Sequence, residues 1–311
     1  MFKSKKNIVI KILDFNSIEK SPNKNEIKEL NKNKLMSMEY GKNILEFSKK
    51  LLDLKGVDFS YFYRNIETLK TQNVGSLIDK NVRAGYSVRQ NLIVFKDYFL
   101  NHEIDHELLH LSSSLFDKER LIEFCGFSQY NCRTNLKVGT CLNEGYTEYL
   151  NEKLFNNNSN TYILEKNISK IIEQIIGNIE MERLYFKADL KNLIIRLSKY
   201  SNMEKTMEFI QNSDYISANS SELFSKKEAD KKFKNILKSC VDYLIYTYTS
   251  KLKEDIQNGV INEDEYNLNL EKFINELGSF NYYSDGKIYP MRFINEKEIL
   301  KTLKAIKKRG I

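Results

Sequence analysis

The chain carries all three of its histidines within nine residues, HEIDHELLH, as His102, His106 and His110. The stretch holds two overlapping copies of His-Glu-x-x-His. Residues four apart on an α-helix share one face, about one turn apart. Either pair of imidazoles could therefore converge on one Zn²⁺ with bonds of about 2.0–2.1 Å. The glutamate beside the first histidine of a copy could then act as general base toward a water whose pKa the metal lowers. All three histidines cannot serve one ion, because His102 and His110 lie roughly 12 Å apart along a straight helix. The second copy suits a packed helix better. Leu108, Leu109 and Leu111 give it apolar faces to bury, whereas the first copy puts Asp105 and Glu107 where packing is wanted. This selects His106 and His110 as metal ligands and Glu107 as the base, and leaves His102 without a role.

A catalytic zinc site takes three protein ligands and keeps a fourth position open. With histidine exhausted, the third ligand must be a carboxylate or a thiolate. Downstream lies GTCLNEGYTEYL, residues 139–150, in which Glu144 and Glu148 are four apart and share a helix face. Glu144 could complete the metal site. Glu148 could accept a hydrogen bond from the other nitrogen of a ligating imidazole, which fixes its tautomer and orients the ring. Gly145 would let this helix approach the histidine helix closely. Cys141 is the rival ligand.

HELLH followed by NEGYTE resembles the gluzincin class of zinc metallopeptidases. That class pairs HExxH with a downstream Asn-Glu-x-x-Ser/Thr-Asp/Glu element on a second helix, and Asn143, Glu144, Thr147 and Glu148 stand at the matching positions. The resemblance covers roughly residues 84–155. It implies Zn²⁺ as cofactor, Glu144 as third ligand, Glu148 as support for His106, and a peptide or protein substrate. It also implies a substrate-binding edge strand before the zinc helix, for which Tyr86–Phe95 is suitably placed. The 33 residues between His110 and Glu144 exceed the separation in the best-known members, so 112–139 would be an insertion. The donor that stabilises an oxyanion in such sites is commonly Tyr, His or Arg. Tyr146, Tyr162, Tyr185 and Tyr289 all stand open for that role.

These side chains need elements to hold them. Alternating apolar residues predict a strand over 8–13, and helical spacing predicts a helix over 25–54 with a break near Gly41. The aromatic run DFSYFY, residues 58–63, reads as core packing. Gly85 marks a bend, and Leu92–Phe95 has strand character. The histidine helix is expected over 96–115, a loop or hairpin over 112–139, and the third-ligand helix over 141–155. The loop NNNSN, residues 156–160, is a plausible seam between two halves. Beyond it, ILEKNISKIIEQIIGNI, LKNLIIRLSKY and FKNILKSCVDYLIYTY repeat apolar residues at helical spacing. Further helices are expected over 262–277 and 295–308, with turn-like NYYSDGKIYP between. The fold class is thus α+β: residues 1–155 carry a small sheet and the two site helices, which the resemblance implies form a zincin-like catalytic region, and a mostly helical region follows over 156–311.

Composition narrows the alternatives. With 41% hydrophobic and 29% charged residues, the chain reads as folded rather than disordered. Its net charge of +7 is interspersed rather than gathered into the patch a nucleic-acid binder shows. No apolar run reaches the length of a membrane span. The opening MFKSKKNIVIKILDF lacks a secretory core and a cleavage site, so a cytoplasmic protein is expected. Cys125, Cys132, Cys141 and Cys240 form no CxxC pair and read as reduced thiols. The rival readings are a non-catalytic zincin-like binding module and a helical interaction protein with incidental histidines.

Overall fold

A computed structural model describes residues 40–74, 84–96, 101–223, 229–278, 280–284 and 287–290. The expected strand at 8–13, the first part of the helix from residue 25 and the helix at 295–308 lie outside these residues. The described chain is mixed α+β, mostly helical with small sheets.

Helices α1 (Gly41–Leu52) and α2 (Ser60–Thr68) come first. Ile44, Phe47 and Leu51 recur at helical spacing and are buried on one face of α1. Phe59, Tyr61, Phe62 and Tyr63 are buried, as the core reading of DFSYFY expects.

A three-stranded sheet follows, from β1 (Lys70–Asn73), β2 (Ala84–Ser87) and β3 (Leu92–Phe95), in the order β1-β3-β2. Strand β3 pairs parallel with β1 and antiparallel with β2. The segment 86–95 is therefore not one strand. It turns at residues 88–91, where Asn91 adopts a left-handed φ of 47°, a conformation asparagine tolerates. Among the described residues, this turn makes β3 the central strand and β2 an edge.

Helix α3 (Asn101–Ser112) carries the histidines and packs against α1, α2, β2 and the next helix. Residues 112–139, expected as a loop or hairpin, fold instead into a four-stranded antiparallel meander: β4 (Ser114–Asp117), β5 (Ile122–Cys125), β6 (Ser128–Asn131) and β7 (Leu136–Val138). Its tight turns use Leu121, Gly126 and Asn135 at positive φ.

Helix α4 (Thr140–Phe155) follows and is held at its start and along its length. Asp214 caps its start by accepting from the backbone N–H groups of Gly139 (2.7 Å) and Cys141 (2.9 Å). Its close neighbour is α5 (Ile163–Ile176). A Cβ on Gly145 would lie 2.1 Å from the carbonyl oxygen of Glu165 on α5. The glycine thus permits contact with α5, not with the histidine helix as expected.

The remaining helices are α6 (Asn178–Phe186), α7 (Leu190–Lys199), α8 (Met203–Leu223), α9 (Ala229–Gln257) and α10 (Glu263–Gly278). The stretch NYYSDGKIYP, expected as a turn, contains the paired strands β8 (Asn281–Ser284) and β9 (Lys287–Pro290). The main hydrophobic core runs from Ile44 and Phe62 through Leu108, Tyr146 and Ile171 to Leu244 and Phe280, and a second small cluster of Tyr61, Leu115, Ile122, Phe124 and Ala188 lies at the meander. Among the described residues, no helix is long and apolar enough to cross a membrane.

Candidate metal centre

Helix α3 buries Ile104, Leu108, Leu109 and Leu111 almost completely, and this fixes its rotation about its own axis. The opposite face then presents His106, Glu107 and His110 to a cleft of about 960 Å³. Helix α4 brings Glu144 and Glu148 to the same cleft. The side chain of His102 is not among those described. Asp105, which counted against the first copy of the motif, accepts a hydrogen bond from Asn157 at 2.9 Å.

Three ligand-type atoms converge. His106 Nε2 and His110 Nε2 are 3.0 Å apart, and Glu144 Oε2 lies 3.5 Å from the first and 3.3 Å from the second. Four ligands placed tetrahedrally about zinc, with bonds of 2.0–2.1 Å, are separated by about 3.3 Å. The triangle formed here is one face of such a tetrahedron in size. Among the described residues, His106, His110 and Glu144 are the group of His, Cys, Asp and Glu side chains close enough to hold an ion.

The outer contacts aim these nitrogens. Glu148 Oε2 lies 3.0 Å from His106 Nδ1, so that nitrogen donates and Nε2 turns its lone pair to the cluster. His110 Nδ1 lies 3.5 Å from Cys125 Sγ, 3.4 Å from Thr147 Oγ1 and 3.3 Å from the Asn143 amide nitrogen. The sulfur and the hydroxyl can accept its proton, which frees the second Nε2 as well. Two lone pairs and a carboxylate oxygen facing one another across about 3 Å repel, and a cation between them removes the repulsion.

Electrostatics point the same way. Burial alone would lower the His106 pKa, but hydrogen bonds to Glu144 and Glu148 outweigh it and push the imidazole up to about 9. His110 is likewise raised: burial opposes it, and the charge of Glu144 prevails. Burial works against the Glu144 carboxylate too, yet His110 and His106 hold it well below its ordinary range. Burial pushes Glu107 up, His106 and His110 pull it down, and Glu144 adds to the rise. The nearby backbone of Tyr86 offsets a little of that rise. The cluster as a whole seeks positive charge.

Four walls enclose the centre: Ala84, Gly85 and Tyr86 of β2, one face of the meander, the α3–α4 floor, and the loop 158–162. The segment read as a seam is therefore part of the cleft. The meander contributes Cys125, Ser128 and the cross-strand row Glu123, Tyr130 and Lys137. Gly126 is required at its turn, because φ is 50° and a Cβ there would lie 2.3 Å from Asn143 Oδ1.

The candidates left open by sequence separate. Cys141 is fully buried and lies outside the cluster, its thiol pushed up by burial and then by Glu165 and Asp214. Tyr146 donates to Glu173 in the core at 2.7 Å, and Tyr185 lies behind Thr147 at 2.6 Å. Tyr289 sits on β9, and its side chain is not among those described. Tyr162 lines the cleft, and the Glu144 carboxylate first, then burial, holds its phenol far above its ordinary pKa.

Sequence reasoning missed several supporting residues. Asn65 donates to Leu111 O (2.8 Å) and Ser114 O (2.8 Å), and Asn91 donates to Asn65 O (2.6 Å). Tyr86 Oη donates to Asn91 Oδ1 (2.9 Å) and lies 3.1 Å from Ser114 Oγ. This network ties the edge strand to the end of the histidine helix. No pattern of spacing marks it. Comparison with protein-family models, with curated proteins and with solved structures finds no match for this chain.

Proposed function

We propose that this protein is a zinc-dependent peptidase of gluzincin type with a zincin-like catalytic region, hydrolysing peptide bonds. One observation carries the reading: His106, His110 and Glu144 form a ligand triangle of tetrahedral size on a cleft floor, with Glu107 beside it. A zinc ion held by these three residues would polarise a carbonyl and lower the pKa of water. The rest is the work of the chain's own groups.

Glu107 takes a proton from the attacking water at a carboxylate oxygen as the water oxygen adds to the carbonyl carbon. It then delivers that proton to the leaving amide nitrogen as the C–N bond breaks. Glu148 holds the Nδ1 proton of His106 and so keeps Nε2 directed at the metal position. Asn143, Thr147 and Cys125 surround the corresponding nitrogen of His110. Among the described residues strand β2 is an edge of its sheet and borders the cleft, so it can take an extended peptide as an added strand through main-chain hydrogen bonds.

The test is Glu107→Gln. The variant should bind one zinc per chain as the parent does, while hydrolysis of a peptide library falls by about 10²–10⁴-fold or beyond detection. Full activity in the variant, or a parent that binds zinc and cleaves nothing, would refute the reading.

A further inference from the structure

We propose that Tyr162 is the residue that donates a hydrogen bond to the substrate oxyanion. This inference rests on the hydrolytic reading above and deepens it.

Three tyrosines line the cleft among the described residues: Tyr86, Tyr130 and Tyr162. Two have committed hydroxyls. Tyr86 donates to Asn91 and Tyr130 donates to Asn135 at 2.8 Å. The Tyr162 hydroxyl forms no hydrogen bond to a described residue. Its ring stacks on His106, with centroids 5.9 Å apart and planes 16° from parallel. It is 40% exposed and lines the cleft.

The backbone supports the same assignment. Tyr162 has φ 51° and ψ 33°, a left-handed conformation that is costly for a bulky residue. Such strain persists only where the surroundings over-determine it, and it clusters at functional sites. The tethers are visible. Asn156 ends α4 in a left-handed turn, Asn157 donates to both Asp105 and Asn151 at 2.9 Å, and the Tyr162 carbonyl accepts from Lys166 N–H at 2.8 Å. Both α3 and α4 thus anchor the loop that carries the ring.

The chemistry needs such a donor. When the water oxygen bonds to the carbonyl carbon, the π pair of C=O moves onto oxygen and Glu107 takes the water proton. A phenol at that oxygen stabilises the charge without giving up its proton, since a tyrosine stays protonated at neutral pH. The pair returns to re-form C=O as the C–N bond breaks and the nitrogen receives the proton from Glu107. The two histidines of the cluster cannot also serve, because His106 and His110 face the metal position.

The test compares parent and Tyr162→Phe, which removes the hydroxyl and keeps the ring. We expect kcat to fall about 100- to 1000-fold with KM within about threefold and zinc content unchanged. Calorimetry supplies a readout apart from activity. A phosphonate peptide, whose tetrahedral anion mimics the oxyanion, should bind the variant more weakly by a similar factor. A simple alkanethiol, which needs only the metal, should bind both proteins alike. Unchanged phosphonate affinity would overturn the proposal. So would loss of zinc or parallel loss of thiol binding, because either marks a structural role. If the parent cleaves no peptide, the hydrolytic reading fails on its own, and the phosphonate comparison still decides Tyr162. A zinc-loaded parent that binds no phosphonate would also overturn it.

Discussion

The choice between two histidine registers turns on what surrounds each ring. His106 and His110 each carry a partner on the nitrogen turned away from the cluster, Glu148 for the first and Cys125 with Thr147 and Asn143 for the second. The Glu148 contact is worth testing separately, since its carboxylate is buried, held ionised against burial by His106, and aligned at 3.0 Å. Glu148→Ala should weaken zinc binding by about 10–100-fold, as loss of such outer partners does elsewhere. Glu148→Gln keeps an acceptor oxygen and should recover part of that loss. Equal zinc affinity in all three proteins, measured by competition with a chromogenic chelator, would show that the ring is held by packing alone. These residues were legible in sequence because four-residue spacing on a helix dictates a shared face. Cys125 was not, and Tyr162 stood only as one of four open tyrosines. Each reaches the centre through a turn whose path depends on the whole tertiary structure, and a lone cysteine or one tyrosine among 19 carries no spacing.

Helices were more legible than strands, for a physical reason. Long amphipathic segments such as α5 and α7 repeat the same apolar spacing over several turns. The meander strands are three or four residues long and mostly polar on one face, as in SQYN and LKV, so period-two alternation has no length in which to appear. Strand β1, KTQN, is polar throughout and pairs in parallel with β3. Gly145 shows a different limit: a glycine in a helix marks a close approach without naming its partner. Its contact with Glu165 O means that α4 is positioned by α5, and with it the third ligand. Gly145→Ala forces backbone against backbone, so α4 or α5 must shift. We expect about 1–3 kcal/mol of destabilisation in denaturant titration, together with weaker zinc binding as Glu144 moves relative to the histidines. A variant with parental stability and parental zinc affinity would mean that the helices part without moving the ligand.

At the scale of the molecule, the ligands belong to two helices inside one continuous core. His106 and His110 lie on α3, Glu144 lies on α4, and Asp214 of α8 caps the start of α4. The core holds Leu108 and Leu109 of α3 together with Ile171, Leu197, Ile210 and Leu244 of the later helices. A metal that joins α3 to α4 should therefore stabilise the whole packed unit rather than the first half of the chain alone. A ligand at a hundred times its Kd contributes about 2.7 kcal/mol of stability when it binds only the folded state. For a domain of this size, each kcal/mol moves the melting temperature by roughly 2–4 °C. Stripping zinc with a chelator should then lower the melting temperature of the full chain by about 5–10 °C, and readdition should restore it. The melt should stay a single transition, seen alike by far-ultraviolet dichroism, which weights the helical second half, and by tyrosine fluorescence. Two transitions, of which only one responds to zinc, would show that residues beyond the 156–160 loop fold apart from the metal centre. No response at all would mean that these side chains hold no zinc ion, and the peptidase reading would fall with it.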